Sequence, residues 1–367
     1  MHFEFEVSSR AGTIQQGSTN MATDKKNKRR LNLILILFIF INAPIQADQL
    51  TVYTYEGLNG KEGLGDILKS EFKRATGHEL NLISFGSAGE ALNQVIIEGK
   101  NTKADLLLGI DSSFSVRAKE TGLFRSIPAK HFLKIKKNIK VDNENVFLPF
   151  DYGYLAFIYN PKKVKKEFDA KKSLTLKEFM SSNGLEKTIV IADPRTSSIG
   201  FSFLKWTYEI ASSREEMKKL WMNFFRKVVA FPPSWSGAYS MFISGGAELV
   251  LTYTTSLAYH LEKENKTDYR AIIFSGGHAL QVEGVGMVKS SKKAGLCESF
   301  FEVLLSEQVQ KSVPTTQWMY PVLTKSKIPK SFLEIPTPSE LEFSGDLTED
   351  KRRSIIQEWS SWGVQSK

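Results

Sequence analysis

Short apolar runs bounded by turn-forming residues alternate along the chain with stretches whose apolar residues recur at helical spacing. That alternation constrains the fold more than any other feature. Runs of this length fit strands covered on both faces, and the intervening stretches fit the amphipathic helices that cover them. Leu50 to Tyr55 reads as a strand. Gly63 to Thr76 reads as a helix with Leu64, Ile67, Leu68, Phe72 and Ala75 on one face, closed by Gly77 at its C-cap. A second strand, Leu80 to Phe85, leads into GSAGEALNQVIIEGK, and ADLLLGI follows as a third strand. Repeated β-α-β order predicts parallel strands with right-handed crossovers.

An extended apolar stretch, FLPFDYGYLAFIYNPKKV, then carries the chain into a second set of strands and helices that includes TIVIADPRTSSIGFSFLKWTYEIA and GAYSMFISGGAELVLTY. HALQVEGVGMVK, at 278 to 289, reads as a further strand, and LCESFFEVLLSEQVQKSV behind it as a helix. No internal repeat and no low-complexity segment interrupts this order. A chain that leaves one unit, builds a second and returns predicts an α/β, two-lobed fold with a ligand cleft between the lobes. The expected boundaries are 48–149 plus 278–325 for lobe 1 and 150–277 plus 326–367 for lobe 2, with 1–47 an N-terminal extension and signal peptide.

The leader is read from KKNKRR at 25 to 30, the apolar run Leu31 to Ile41, and NAPIQA ending at Ala47. A membrane-spanning helix needs roughly 20 apolar residues, so this shorter run predicts a cleaved secretory signal, with translation starting at Met21 and the mature chain running from Asp48 to Lys367. The sole cysteine, Cys297, lies far from the cleavage site, which predicts a periplasmic protein without a lipid anchor. A single cysteine also excludes an intramolecular disulfide and any cysteine-built metal site. Removing 1–47 lowers the net charge from +9 to +6. The basic cluster KHFLKIKKNIK, 130 to 140, is read as a solvated face and not as a nucleic-acid surface, since no recognition motif accompanies it.

LVLTYTTSLAYH, 249 to 260, begins as a buried strand and turns abruptly into hydroxyl and aromatic side chains. Ligands of open α/β sheets sit at the carboxyl ends of strands. Tyr253, Thr254, Thr255 and Ser256 are therefore candidates for the mouth of a cleft, the alternative being a polar loop with half-buried tyrosines.

The ordered set LTVYTYEG, EGKNTKADLLLGID, FDYGYLAFIY, DPRTSS, SWSGAY, LTYTTSLAYH and TTQWMYPV resembles the periplasmic solute-binding proteins of ABC importers, and within them the thiamine-binding family. The resemblance covers nearly the whole mature chain. It implies a periplasmic solute-binding protein fold that captures thiamine, thiamine monophosphate and thiamine diphosphate and delivers them to an ABC transporter permease. It also implies that Ser87, Ala88, Ser197, Ser198, Trp235, Tyr253, Thr254, Thr255 and Ser256 contact the ligand, and that Tyr55, Tyr259 and Trp318 are the aromatic residues around its rings. Where the family carries a tryptophan shortly after the first strand, this chain has Glu62, so either one ring face is less enclosed or a carboxylate faces the cation.

The residue chemistry supports the resemblance. Thiamine joins a permanently cationic thiazolium to an aminopyrimidine, both flat, and cation–π contact supplies about 0.5 to 2 kcal/mol. Trp235, Tyr253, Tyr259 and Trp318 suit that role, with core packing as the alternative for each. GSAGE, 86 to 90, and RTSSIG, 195 to 200, each join a strand to a helix and can present N–H groups to phosphate, or simply cap their helices. Arg195 either adds a charged donor or braces its loop. Asp151 and Glu283 either balance the cation or hold a hinge.

Rival functions lack their signatures. A ferric-ion carrier commonly uses neighbouring tyrosines, whereas Tyr253 precedes Thr254; a polyamine carrier calls for several carboxylates in the cleft. GSAG and SWSG both miss the G-x-S-x-G elbow of a serine hydrolase. His78, His131, His260 and His278 show no zinc spacing. The chain is thus expected to be a monomeric binding protein with no enzymatic activity, no cofactor, no metal and no nucleic-acid partner.

Overall fold

The computed structural model describes residues 48–164, 174–341, 343 and 347–365. The N-terminal extension and signal peptide read at 1–47 lie outside them. The strands are β1 (Gln49–Tyr55), β2 (Glu79–Phe85), β3 (Leu106–Asp111), β4 (Phe124–Arg125), β5 (Phe147–Tyr159), β6 (Ile189–Val190), β7 (Val228–Ala230), β8 (Leu249–Tyr253), β9 (Arg270–Ile272), β10 (Leu280–Val288) and β11 (Tyr320–Pro321). They run in the order β2-β1-β3-β10-β5-β8-β6-β7, with β4 beside β10, and β9 and β11 beside β5.

β5 joins two halves. Its first part, Phe147 to Tyr154, pairs with β10; its second, Leu155 to Tyr159, pairs with β8. β1, β2 and β3 are mutually parallel, as their β-α-β order predicts, and so are β6, β7 and β8. β5 and β10 run antiparallel to their neighbours, so the sheet is mixed where parallel pairing was expected. Strand direction here follows the return of the chain from one half to the other, a non-local property that no local run encodes.

Local chemistry explains the elements. Leu106, Leu107 and Leu108 of β3 are fully buried, as a central strand covered on both faces requires. The helix read over Gly63 to Thr76 spans Gly65–Thr76, and Gly77 ends it in the left-handed region at φ 75°. The single helix expected over 296–313 is two, Ala294–Leu304 and Glu307–Thr316. Ser306 breaks it: its hydroxyl accepts from Val309 N–H and starts a new helix inside a continuous apolar pattern.

The second half has an aromatic core around Phe157, with Phe179 and Phe203 at centroid distances of 5.0 and 5.4 Å. Trp221 is buried beside them and donates its indole N–H to Thr207 Oγ1 at 2.8 Å, so its polar edge is satisfied. The C-terminal helix Glu349–Gln365 packs Trp359 edge-on against Trp221. Cys297 is buried, and desolvation pushes its thiol up to about 11. Among the described residues no helix is long and apolar enough to cross a membrane.

Candidate functional site

A cavity of about 810 Å³ opens between the two halves of the sheet. Four helices aim their first turns at it: Ala88–Glu98 with Ser87 and Ala88, Ser198–Ile210 with Ser197 and Ser198, Trp235–Ile243 with Ser234 and Trp235, and Ser256–Glu264 with Ser256. Unpaired N–H groups and the helix dipole make such a ring of N-termini attractive to anions. The caps differ in how far their hydroxyls are committed. Ser87 accepts from Glu90 N–H at 3.2 Å and Ser234 from Gly237 N–H at 3.2 Å. Ser197 caps its helix with no side-chain bond, and its hydroxyl is free for a ligand. Arg195 is spent on Asp193, Nε to Oδ1 at 2.9 Å, which braces the loop and leaves it out of the lining.

Aromatic side chains form two platforms. Trp235 stacks on Tyr239 at 5.1 Å and 27°, and its indole N–H donates to Thr252 Oγ1 at 3.0 Å. Behind it, Tyr239 hydroxyl meets His260 Nε2 at 2.8 Å, and His260 Nδ1 meets Glu264 at 2.8 Å, which fixes the stack from the protein side. Burial lowers the His260 pKa. Tyr259 and Trp318 meet edge-on at 5.1 Å. Trp318 has φ 55°, a conformation that bulky residues adopt only under strain, and such strain concentrates at functional sites.

Of the carboxyl groups at this end of the sheet, Glu283 lines the cavity and Asp151 is buried beside it. Tyr55 ends β1 and donates its hydroxyl to Glu283 Oε2 at 2.8 Å. Its ring lies over Gly109, φ 96°, where any β-carbon would overlap it. Burial, and then the Asp111 charge, push Glu283 up to about 8 against the bond from Tyr55. Asp151 is fully buried with neither oxygen hydrogen-bonded, and burial and Glu283 hold its pKa well above the carboxylate range. Burial likewise raises Tyr55 and Tyr253 well above ordinary phenols.

Tyr55, Ser87, Ala88, Ser197, Ser198, Trp235, Tyr253, Ser256, Tyr259 and Trp318 thus all line one cavity. Thr254 and Thr255 do not: both are fully buried, and their hydroxyls have no partner among the described residues. The chain turns inward at that point, with Thr254 N–H donating to the Tyr154 carbonyl at 2.9 Å. Thr252, buried behind the lining, holds Trp235 and meets Ser256 Oγ at 2.8 Å. Glu62 stays outside the lining and pairs with Lys263 at 2.9 Å, so it does not face the cavity. Sequence reasoning missed Tyr239, Ser234 and Gln317. Tyr239 was legible in SWSGAY, one helical turn after Trp235. Among the described residues no group of three or more His, Cys, Asp or Glu side chains is arranged to hold a metal ion.

A cavity between two sheet halves that share a long strand, ringed by helix starts and aromatic faces, defines a protein that encloses one small polar solute. Comparison agrees. The profile described as bacterial extracellular solute-binding protein matches residues 68–334. A thiamine-binding periplasmic protein of Escherichia coli (strain K12) is 35% identical over 332 residues, spanning 90% of this chain and 98% of that one. Another, from Haemophilus influenzae, is 30% identical over 336 residues, spanning 90% and 98%. Among solved structures, a periplasmic thiamin binding protein has a TM-score of 0.77 at 34% identity, over 86% of this chain and 96% of that one. A ferric binding protein from Campylobacter jejuni shares the fold, with a TM-score of 0.69 at 17% identity over 86% and 99%. The chain belongs to the bacterial extracellular solute-binding proteins, in the family of the thiamine-binding periplasmic proteins.

Proposed function

We propose that this protein binds thiamine, thiamine monophosphate and thiamine diphosphate in the cavity and, as a periplasmic monomer exported through a cleaved signal peptide, hands them to the permease of an ABC importer. The observation that carries the reading is the combination in one lining of aromatic platforms, the Glu283 carboxyl group and four helix N-termini. A flat cation with a phosphate tail asks for all three. The names of the relatives point the same way. The twelve candidates then divide by chemistry, the serines and Ala88 serving the polar and phosphate atoms and Tyr55, Trp235, Tyr253, Tyr259 and Trp318 the rings. Thr254 and Thr255 act from behind by shaping the turn. The lobes are 48–149 with 278–325 and 150–277 with 326–367, and β5 is one of the strands on which they hinge. Solute binding alone, without catalysis, accounts for this lining.

Titration calorimetry with the three thiamine forms, beside ferric citrate and spermidine, tests the reading. Heat with the thiamine forms is expected. Heat with iron or polyamine alone overturns it.

A further inference from the structure

Glu283 of β10 is registered opposite Asp151 of β5 on one side and Asp111 of β3 on the other. Directly opposed residues of antiparallel strands share a face, with β-carbons about 5 Å apart. Three carboxyl groups therefore crowd one patch of the sheet, where Glu283 lines the cavity and Asp151 and Asp111 are buried beside it. They are not equally supported. Asp111 accepts from the backbone N–H groups of Ser113 and Phe114 and from the Gln281 amide, and the Arg352 guanidinium lies near enough to feel its charge. Glu283 accepts one hydrogen bond, from Tyr55. Asp151 accepts none.

Among the described residues, the neighbouring groups named for the pair bring no compensating charge. Tyr55 comes from β1, Tyr253 from β8, Gln317 from the end of helix Glu307–Thr316 and Gln281 from β10 itself, all neutral, and the charge that acts on Glu283 is that of Asp111. Adjacent buried carboxyl groups in such a setting do not both ionise. A solute that brings a fixed positive charge changes that balance.

Building on the thiamine reading, we propose that the empty cleft holds a proton on the Asp151–Glu283 pair and that entry of the cationic ligand expels this proton to solvent, so that uptake exchanges an organic cation for a proton. No covalent bond other than O–H changes, and the net charge of the floor is the same empty and filled. The cleft can then close over a cation without burying an unbalanced charge. A neutral isostere of the thiazolium, such as a thiophene, displaces no proton and gains nothing from the pair.

The sign follows from linkage. Burial and Asp111 place the empty-state titration of Glu283 at about 8, and a nearby cation lowers it. Proton release is therefore near its full value around pH 7 and fades as pH rises past about 8, where the empty site is already ionised. Affinity for thiamine climbs with pH over the same range and then levels off.

The test is calorimetry of the intact protein with thiamine itself, because phosphate esters ionise near pH 6 and release protons of their own. The same titration is run in buffers of low and high ionisation enthalpy. The expected slope is close to one proton released per thiamine at about pH 7, falling towards zero at about pH 9. The thiophene isostere is expected to show no slope, and a folded Glu283→Gln protein to bind thiamine weakly with buffer-independent heat. Binding by the wild-type protein with buffer-independent heat near neutrality overturns the proton exchange while leaving the thiamine reading intact. Absence of thiamine heat in every buffer overturns the thiamine reading and the exchange with it. If the variant does not fold, the wild-type pH series and the isostere decide alone.

Discussion

Replacing Trp235 by Ala removes the most exposed aromatic platform of the cavity. Trp235 is 40% exposed, stacks one face on Tyr239 and leaves the rest of its surface open to the cavity. A cation against that ring in a closed, desolvated cleft is worth about 2 kcal/mol. Covering roughly 40 Å² of indole surface adds about 1 kcal/mol. The expected loss for Trp235→Ala is thus about 2 to 3 kcal/mol, or roughly 30- to 150-fold in Kd. The cost to the empty protein is smaller, because the residue opens its helix and the change forfeits chiefly the stack on Tyr239, about 0.5 to 1.5 kcal/mol.

Trp235→Phe is the control. It keeps a ring against Tyr239 and loses the indole N–H. Thr252 Oγ1 keeps Ser256 Oγ at 2.8 Å, so no buried hydroxyl is orphaned, and the expected loss stays below about 1 kcal/mol. The assay is calorimetric Kd for thiamine paired with thermal unfolding of the ligand-free variants. A Trp235→Ala protein that binds within threefold of wild type refutes the reasoning. So does a Phe variant as impaired as the Ala variant, because the N–H and not the ring face would then be what the ligand needs.

Ser197→Ala, at a cap with no side-chain bond, is expected to weaken the diphosphate by about 1.5 to 3 kcal/mol and to leave thermal stability unchanged, whereas Ser87→Ala, which removes a working cap, costs about 1 kcal/mol of stability. Titration and melting of both variants separate the roles. Glu62→Gln breaks the Lys263 pair between groups 71% and 42% exposed, so its effect on thiamine affinity is expected to be small and to disappear at high salt; a large salt-independent loss would mean that Glu62 reaches the ligand. His278 accepts Phe274 N–H at Nε2 and donates from Nδ1 to the Leu155 carbonyl, and burial depresses its pKa from 6.5 to about 4. Its neutral form is the stabilising one, so its contribution is present above pH 6.5 and is lost as pH falls towards 4, by up to about 3 kcal/mol. Unfolding midpoints across that range should show a slope that His278→Gln flattens.

What the sequence revealed and what it hid divide along one physical line. Strands such as ADLLLGI were legible because burial on both faces leaves a continuous apolar run, and the helix closed by Gly77 because a left-handed C-cap favours glycine. The serines at 87 and 197 were legible as helix starts, but not the difference between them. Ser87 is committed to Glu90 N–H and Ser197 is uncommitted, a matter of local angles and not of residue type. Thr254 and Thr255 were misplaced by composition. Hydroxyl-rich segments suggest a polar surface, yet the bond from Thr254 N–H to Tyr154 draws these two inward and leaves Thr252, inside the apolar run, holding Trp235. Glu62 likewise could not reveal its partner, which lies 201 positions away.

The carboxyl floor was the least legible feature, and the sheet explains how it forms. Glu283 meets Asp151 and Asp111 only because β10 returns antiparallel between β3 and β5, and both of its pairings lose register around Gly284. Such irregularities re-aim side chains beside binding sites. Gly284 is what permits this one: a β-carbon there would lie 2.7 Å from Val141 Cγ2 and 2.8 Å from the Leu148 carbonyl oxygen. With a regular ladder, the positions following Glu283 would shift against β5 and β3. β10, paired with the first part of β5, is therefore the strand that delivers the acid to the cavity.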